Sequence, residues 1–134
     1  MPFLIGGHPA FFCPMEEGEH FTEYLLRFED ENVEDLHLRY PLFDHDAVLY
    51  EHLAHRTVKL IHQCTEKGIR FDFPDYETVA FWTPSKKDAP FLCIEPWYGG
   101  TMDQVPNTNL LEKKYVQYLP AKEARDYRFS FQPC

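Results

Sequence analysis

Phe91-Leu92-Cys93-Ile94-Glu95-Pro96-Trp97-Tyr98 is apolar on both of its alternating faces up to Glu95, the signature of a strand covered on two sides. A strand buried on both faces needs neighbours, and period-two alternation supplies them along the rest of the chain. Tyr24, Leu26 and Phe28 alternate with Leu25 and Arg27. Leu36, Leu38 and Tyr40 alternate with His37 and Arg39, and Ile69, Phe71 and Phe73 with Arg70 and Asp72. Further strands are predicted over 57–61, 79–83 and 127–131. The connectors hold the expected breakers: Glu66-Lys67-Gly68, Pro74-Asp75, the segment 84–90 and Gly99-Gly100. Eleven prolines fit a loop-rich sheet, because proline inside a central strand removes a ladder donor. Two short helical turns are predicted, over 46–53 and over 109–115, the second capped by Asn109. Seven or eight short strands with little helix predict an all-β fold, an antiparallel β-sandwich.

Composition narrows the function classes. The chain has 134 residues, a formal charge of −9 and 44% hydrophobic residues, with 12 Phe, 8 Tyr and 2 Trp. A nucleic-acid groove needs clustered Lys and Arg, whereas the basic doublets here are Lys86-Lys87 and Lys113-Lys114. Neither a membrane span nor a basic leader is present, so a soluble, cytoplasmic protein is expected. Cys13, Cys64, Cys93 and Cys134 show no zinc spacing and read as separate reduced thiols. His45, His52 and His55 lack HExxH spacing, and no two histidines are separated by one residue as in a cupin, so no metal centre is predicted. Ser85 and Ser130 are the only serines and neither sits in a Gly-x-Ser-x-Gly elbow.

Three segments carry candidate chemistry, each with a plainer alternative. Glu95 ends its apolar run beside Trp97 and Tyr98. It is either a solvated strand terminus or a carboxyl in apolar surroundings, whose raised pKa suits proton transfer. His8 follows Gly6-Gly7, read as granting backbone freedom, and precedes Pro9, which favours an extended backbone at His8; it is a turn histidine or a directed imidazole. Asp44-His45-Asp46 is a helix cap or a group that accepts hydrogen bonds from sugar hydroxyls.

Ile5-Gly6-Gly7-His8-Pro9-Ala10-Phe11, residues 43–49, Phe81-Trp82-Thr83 and the run from Phe91 through Gly99 occur in this order. Together they resemble the second half of an aldose 1-epimerase (galactose mutarotase) of the LacX-like branch. The resemblance implies a galactose mutarotase-like supersandwich of which residues 1–134 are a C-terminal portion, with a sugar site on a concave sheet face. It implies His8 as general acid, Glu95 as general base, and Asp46, or in its place Asp44, as a substrate-binding aspartate. Trp82, Trp97 and Tyr98 would offer apolar faces to a pyranose. The implied partner is an aldose, a hexose, and no cofactor is required. Ala80 stands where other mutarotases have a sugar-binding glutamine, and the Arg-His-Gly-like segment of the family's first half does not occur. A noncatalytic carbohydrate-binding module is therefore the alternative, and uncovered sheet edges predict self-association.

Overall fold

The computed structural model describes residues 1–99 and 108–134; Gly100 of the Gly99-Gly100 breaker lies outside the described residues. The strands are β1 (Pro2–Phe3), β2 (Ile5–Gly6), β3 (Ala10–Phe12), β4 (Tyr24–Phe28), β5 (Leu36–His37), β6 (Val48–Glu51), β7 (Thr57–His62), β8 (Gly68–Asp72), β9 (Thr78–Trp82), β10 (Phe91–Tyr98), β11 (Gln117–Tyr118) and β12 (Ser130–Pro133). Among the described residues the only helices are short 3-10 turns. Every strand pairing is antiparallel. One five-stranded sheet runs β2-β10-β9-β6 with β3 also on β10; the other runs β12-β8-β7-β4-β5, and β1 pairs with β11.

The all-β expectation holds, with β10 central as its two-sided apolar run predicts. The core lies between the two five-stranded sheets. Leu92, Ile94, Val79 and Phe81 face it from the first; Tyr24, Leu26, Phe28, Val58, Leu60 and Phe71 face it from the second. Aromatic rings lock the sheets together edge to face: Phe28 meets Phe81 with centroids 6.0 Å apart, and Phe11 meets Phe71 at the same distance. Opposite the core, the second sheet turns Arg27 and Arg70 outward into ion pairs with Asp35, Glu66, Asp72 and Glu29.

The structure corrects several local expectations. Residues 46–53 do not form a helix. Val48, Leu49 and Tyr50 pair with Phe81, Ala80 and Val79 on the free edge of β9, because β-branched and aromatic side chains fit a pleated, half-buried surface. His52 and His55 therefore share no helical face; His52 takes a positive φ of 56° just after the strand and sits 3.4 Å from Glu77. Asn109 does cap a short 3-10 turn, accepting from the Leu111 N–H at 3.1 Å.

Pro96 sits inside the central strand, against expectation. The Gly7 N–H donates to the Pro96 carbonyl at 3.0 Å, so alternation along the strand turns the missing Pro96 donor toward β2 and leaves the β9 ladder intact. Gly6 and Gly7 are required for space and not for unusual dihedrals, since neither has a positive φ. A Cβ on Gly6 would lie 2.4 Å from the Trp97 ring, and one on Gly7 would lie 2.7 Å from the Phe129 ring.

Candidate active site on the outer face of the central strand

Register alone assembles the site. β10 pairs with β2 through Trp97↔Gly6 and with β3 through Cys93↔Ala10. Both pairings share one register, so His8, in the gap between β2 and β3, falls opposite Glu95. On its other side Glu95 pairs with Ala80, and Ala80 with Leu49. Three cross-strand rows result on one face: Ala10–Cys93–Trp82, His8–Glu95–Ala80–Leu49, and Gly6–Trp97–Thr78–Glu51.

The prolines on either side explain why the ladder opens here. Gly7 donates to Pro96 and Ile94 donates to the Pro9 carbonyl at 3.1 Å, but neither proline can return a bond. Each flanking pair keeps one hydrogen bond of two. The His8–Glu95 pair between them is of the non-hydrogen-bonded kind, in which opposed side chains approach most closely. Nε2 of His8 lies 3.3 Å from Oε1 of Glu95; the histidine side chain is 64% exposed and the glutamate 4%. An accessible imidazole thus covers a buried carboxyl.

The environment of Glu95 sets its protonation. Burial pushes its pKa upward. The His8 charge opposes that shift, the Asp46 charge adds to it, and a hydrogen bond from Trp97 counteracts it. The Trp97 side chain follows Glu95 by two residues on the same face, and its ring lies over Gly6. A cleft of about 510 Å³ opens on this face, lined by Gly6, Gly7, His8, Glu95, Trp97 and Lys113 among others.

The other predicted site residues are distributed unevenly. Asp46 is exposed, with its Oδ1 accepting from the Ala47 N–H at 2.7 Å, and its charge reaches Glu95. Asp44 closes the 3-10 turn Tyr40–Phe43, and no hydrogen bond or charge effect ties its carboxylate to Glu95. Trp82 lies one row from Glu95, across from Cys93. Tyr98 lines the cleft, but the alternation that brings Trp97 to the site turns Tyr98 the other way. Its ring joins the core aromatics, 6.2 Å from Tyr76 and 5.8 Å from Tyr127. The residue best suited on this face to stack on a ring-shaped ligand beside Glu95 is Trp97.

The structure adds residues that the sequence did not single out. Glu51 shares the Trp97 row and accepts from Tyr115 Oη at 2.9 Å and Lys114 Nζ at 2.8 Å. These contacts tie the 108–118 segment across the β6 edge, with Tyr115 in a positive-φ conformation. Thr78 Oγ1 donates to the Trp97 carbonyl at 3.0 Å and holds that part of β10 in place.

No family model matches the chain. It is 35% identical to the chromosomal LacX protein of Lactococcus lactis subsp. lactis over 139 aligned positions, 85% of this chain and 46% of that protein; the plasmid LacX protein matches at 34%. The chain is thus similar to the LacX proteins over most of its own length. It spans about half the length of those relatives. A galactose mutarotase related enzyme from Lactobacillus acidophilus superposes with a TM-score of 0.77 at 22% identity, over 99% of this chain and 50% of that one. A galactose mutarotase-like protein from Lactobacillus casei gives 0.72 at 23%, over 99% and 52%. These likenesses establish a galactose mutarotase-like fold, in accord with the resemblance read from the sequence. Among the described residues no helix is long and apolar enough to cross a membrane.

The electrostatics around Glu95 give a direct expectation. Removing the negative charge of Asp46 takes away a contribution that raises the Glu95 pKa, and removing the Trp97 donor takes away one that lowers it. Asp46→Asn is therefore expected to move the Glu95 titration down and Trp97→Phe to move it up, with the parent midpoint above the ordinary glutamate range of about 4.3. Carbon-13 NMR of the labelled Glu95 carboxyl measures this. A parent midpoint at or below the ordinary value contradicts the burial argument.

Proposed function

We propose that this chain carries the acid–base face of an aldose 1-epimerase, interconverting the α and β anomers of a hexose. The observation that carries the reading is the opposed His8–Glu95 pair, 3.3 Å apart, in which one member is buried and the other accessible. Anomer exchange requires removal of the proton from the C1 hydroxyl while the ring oxygen receives one; the C1–O5 bond breaks, the C1–C2 bond rotates and the aldehyde recloses. Glu95 in its ionised form takes the hydroxyl proton and His8 in its protonated form gives one to the ring oxygen. The reverse transfers accompany reclosure, so the proton count of the pair is restored.

A carboxyl raised in pKa is a better base for a sugar hydroxyl than an ordinary glutamate, provided it remains ionised at the working pH. Being accessible, the His8 imidazole has room to move aside when O1 and O5 of a sugar enter between it and Glu95. Trp97 offers an apolar ring to the pyranose C–H surface, and Asp46 an acceptor for hydroxyls. Nothing in this scheme calls for a cofactor.

A second reading, noncatalytic carbohydrate binding, draws support from Ala80. It lies directly across from Glu95, so no amide side chain there contacts the sugar. The two readings separate in polarimetry of freshly dissolved α-D-galactose or α-D-glucose. The first expects acceleration over the spontaneous relaxation, and loss of about 10²–10⁴-fold of it in His8→Asn. Saturable binding of the sugar without acceleration favours the second.

A further inference from the structure

Cys93 stands one cross-strand row away from the acid–base pair and takes no part in its proposed chemistry. It precedes Glu95 by two residues and so projects from the same face of β10, where the small side chain of Ala10 is its neighbour on β3. The Cys93 sulfur, a His8 ring nitrogen and a Glu95 carboxylate oxygen all lie within 4.8 Å of one another. The His8–Glu95 edge of that triangle is already 3.3 Å. Ligand atoms in a tetrahedral zinc site with bonds of about 2.0–2.3 Å are separated by roughly 3.3–3.8 Å. Contraction by about 1 Å would close the triangle, through rotation of the exposed His8 imidazole and of the Cys93 and Glu95 side chains about their own χ angles.

The donor set selects the class of ion. Thiolate, imidazole and carboxylate together suit zinc and its neighbours, with three protein ligands and an open fourth position, whereas calcium and magnesium prefer sites built wholly from oxygen. We propose that His8, Cys93 and Glu95 form a binding site for a thiophilic divalent cation, with Zn²⁺ as the reference ion. Binding replaces the Cys93 S–H bond with an S–metal bond and releases that proton to solvent; no electrons are transferred. An ion held there occupies the imidazole and carboxylate lone pairs, so it competes with proton transfer by the same two groups. Coordination needs only the three donors and does not rest on the aldose reading.

The test is a titration of the reduced, metal-free chain with Co²⁺ in the absence of sugar, following the thiolate-to-cobalt charge-transfer band, and then displacement of the cobalt by Zn²⁺. One cobalt ion per chain is expected. Cys93→Ser abolishes the band, His8→Asn weakens binding by ~10–100-fold, and a Cys64→Ser, Cys134→Ser double variant retains both band and affinity. Because His8 is exposed, its replacement leaves the core untouched and decides the matter even if Cys93→Ser misfolds. Absence of cobalt binding, a band that persists in a folded Cys93→Ser, its loss in the double variant, or unchanged affinity in His8→Asn overturns the proposal. The readout is metal binding alone, so failure here leaves anomer exchange to be judged by polarimetry.

Discussion

Glu95→Gln is expected to remove nearly all acceleration of anomer exchange, about 10²–10⁴-fold, while leaving the folded chain as stable as the parent or more so. The two effects have one cause. Burial raises the Glu95 pKa in the folded chain, so the folded state holds this proton more tightly than the unfolded state, where the value is close to 4.3. A group of that kind contributes stability below its unfolded pKa and loses it as pH rises through the raised folded value. Above that window the parent carries an ionised, buried carboxylate. The glutamine variant does not, and its carbonyl still accepts from the Trp97 side chain. Thermal unfolding across the acidic and neutral range should show the melting temperature of the variant gaining on the parent with rising pH, then levelling. A variant that melts lower than the parent at neutral pH would give Glu95 a structural role and leave the activity loss unexplained by chemistry.

Gly68→Ala is expected to have the largest effect on stability. A Cβ at this position would lie 1.9 Å from the Leu60 carbonyl oxygen and 2.9 Å from Cα of Ile61. Both atoms are backbone of β7, the strand at the middle of the second sheet, paired with β4 on one side and β8 on the other. Neither can move aside as a side-chain tip would, so β8 must shift relative to its neighbour. That displaces Phe71, fully buried and in ring contact with Phe11, Phe73 and Phe129. Such overpacking costs about 3 kcal/mol or more, out of a total of roughly 5–15 kcal/mol for an ordinary domain. Urea unfolding should report a midpoint well below the parent with little change in slope. A midpoint within error of the parent contradicts the close approach of β8 to β7.

The strands that read clearly in the sequence are those whose alternation has one apolar and one polar phase. In Ile69-Arg70-Phe71-Asp72 the core phase and the ion-paired phase are both explicit, and β8 follows. The segment 46–53 misleads because a helix and an edge strand both satisfy its short apolar run; only the free edge of β9, which is tertiary information, decides between them. Gly68 reads as a turn breaker and does stand where the turn passes into β8, yet what demands glycine there is the close approach of the β7 backbone. Gly6 and Gly7 likewise serve Trp97 and Phe129, whose approach no local pattern reveals.

The site divides in the same way. His8 and Glu95 stand out as local oddities, a directed imidazole and a carboxyl ending an apolar strand. Their partnership depends on a pairing register between segments far apart in the chain. Trp97 and Tyr98 are equivalent as composition but not as geometry, since the period of two that was already legible assigns Trp97 to the Glu95 face and Tyr98 to the core. Cys93 obeys the same period. Its burial, which pushes the thiol up to about 11 together with the nearby Glu95 charge, fits an inert packed thiol. That it also completes a triangle with His8 and Glu95 follows only from the β3–β10 register.

The central claim is that the His8–Glu95 pair moves protons on an aldose. Exchange spectroscopy on D-galactose at anomeric equilibrium tests it most directly, because cross-peaks between the α and β C1 protons measure interconversion without a separate binding step. Cross-peaks that grow in proportion to the concentration of the parent chain, and that fall to the protein-free level in both Glu95→Gln and His8→Asn, are the predicted result. Exchange indistinguishable from sugar alone with the parent, or undiminished in either folded variant, would contradict it.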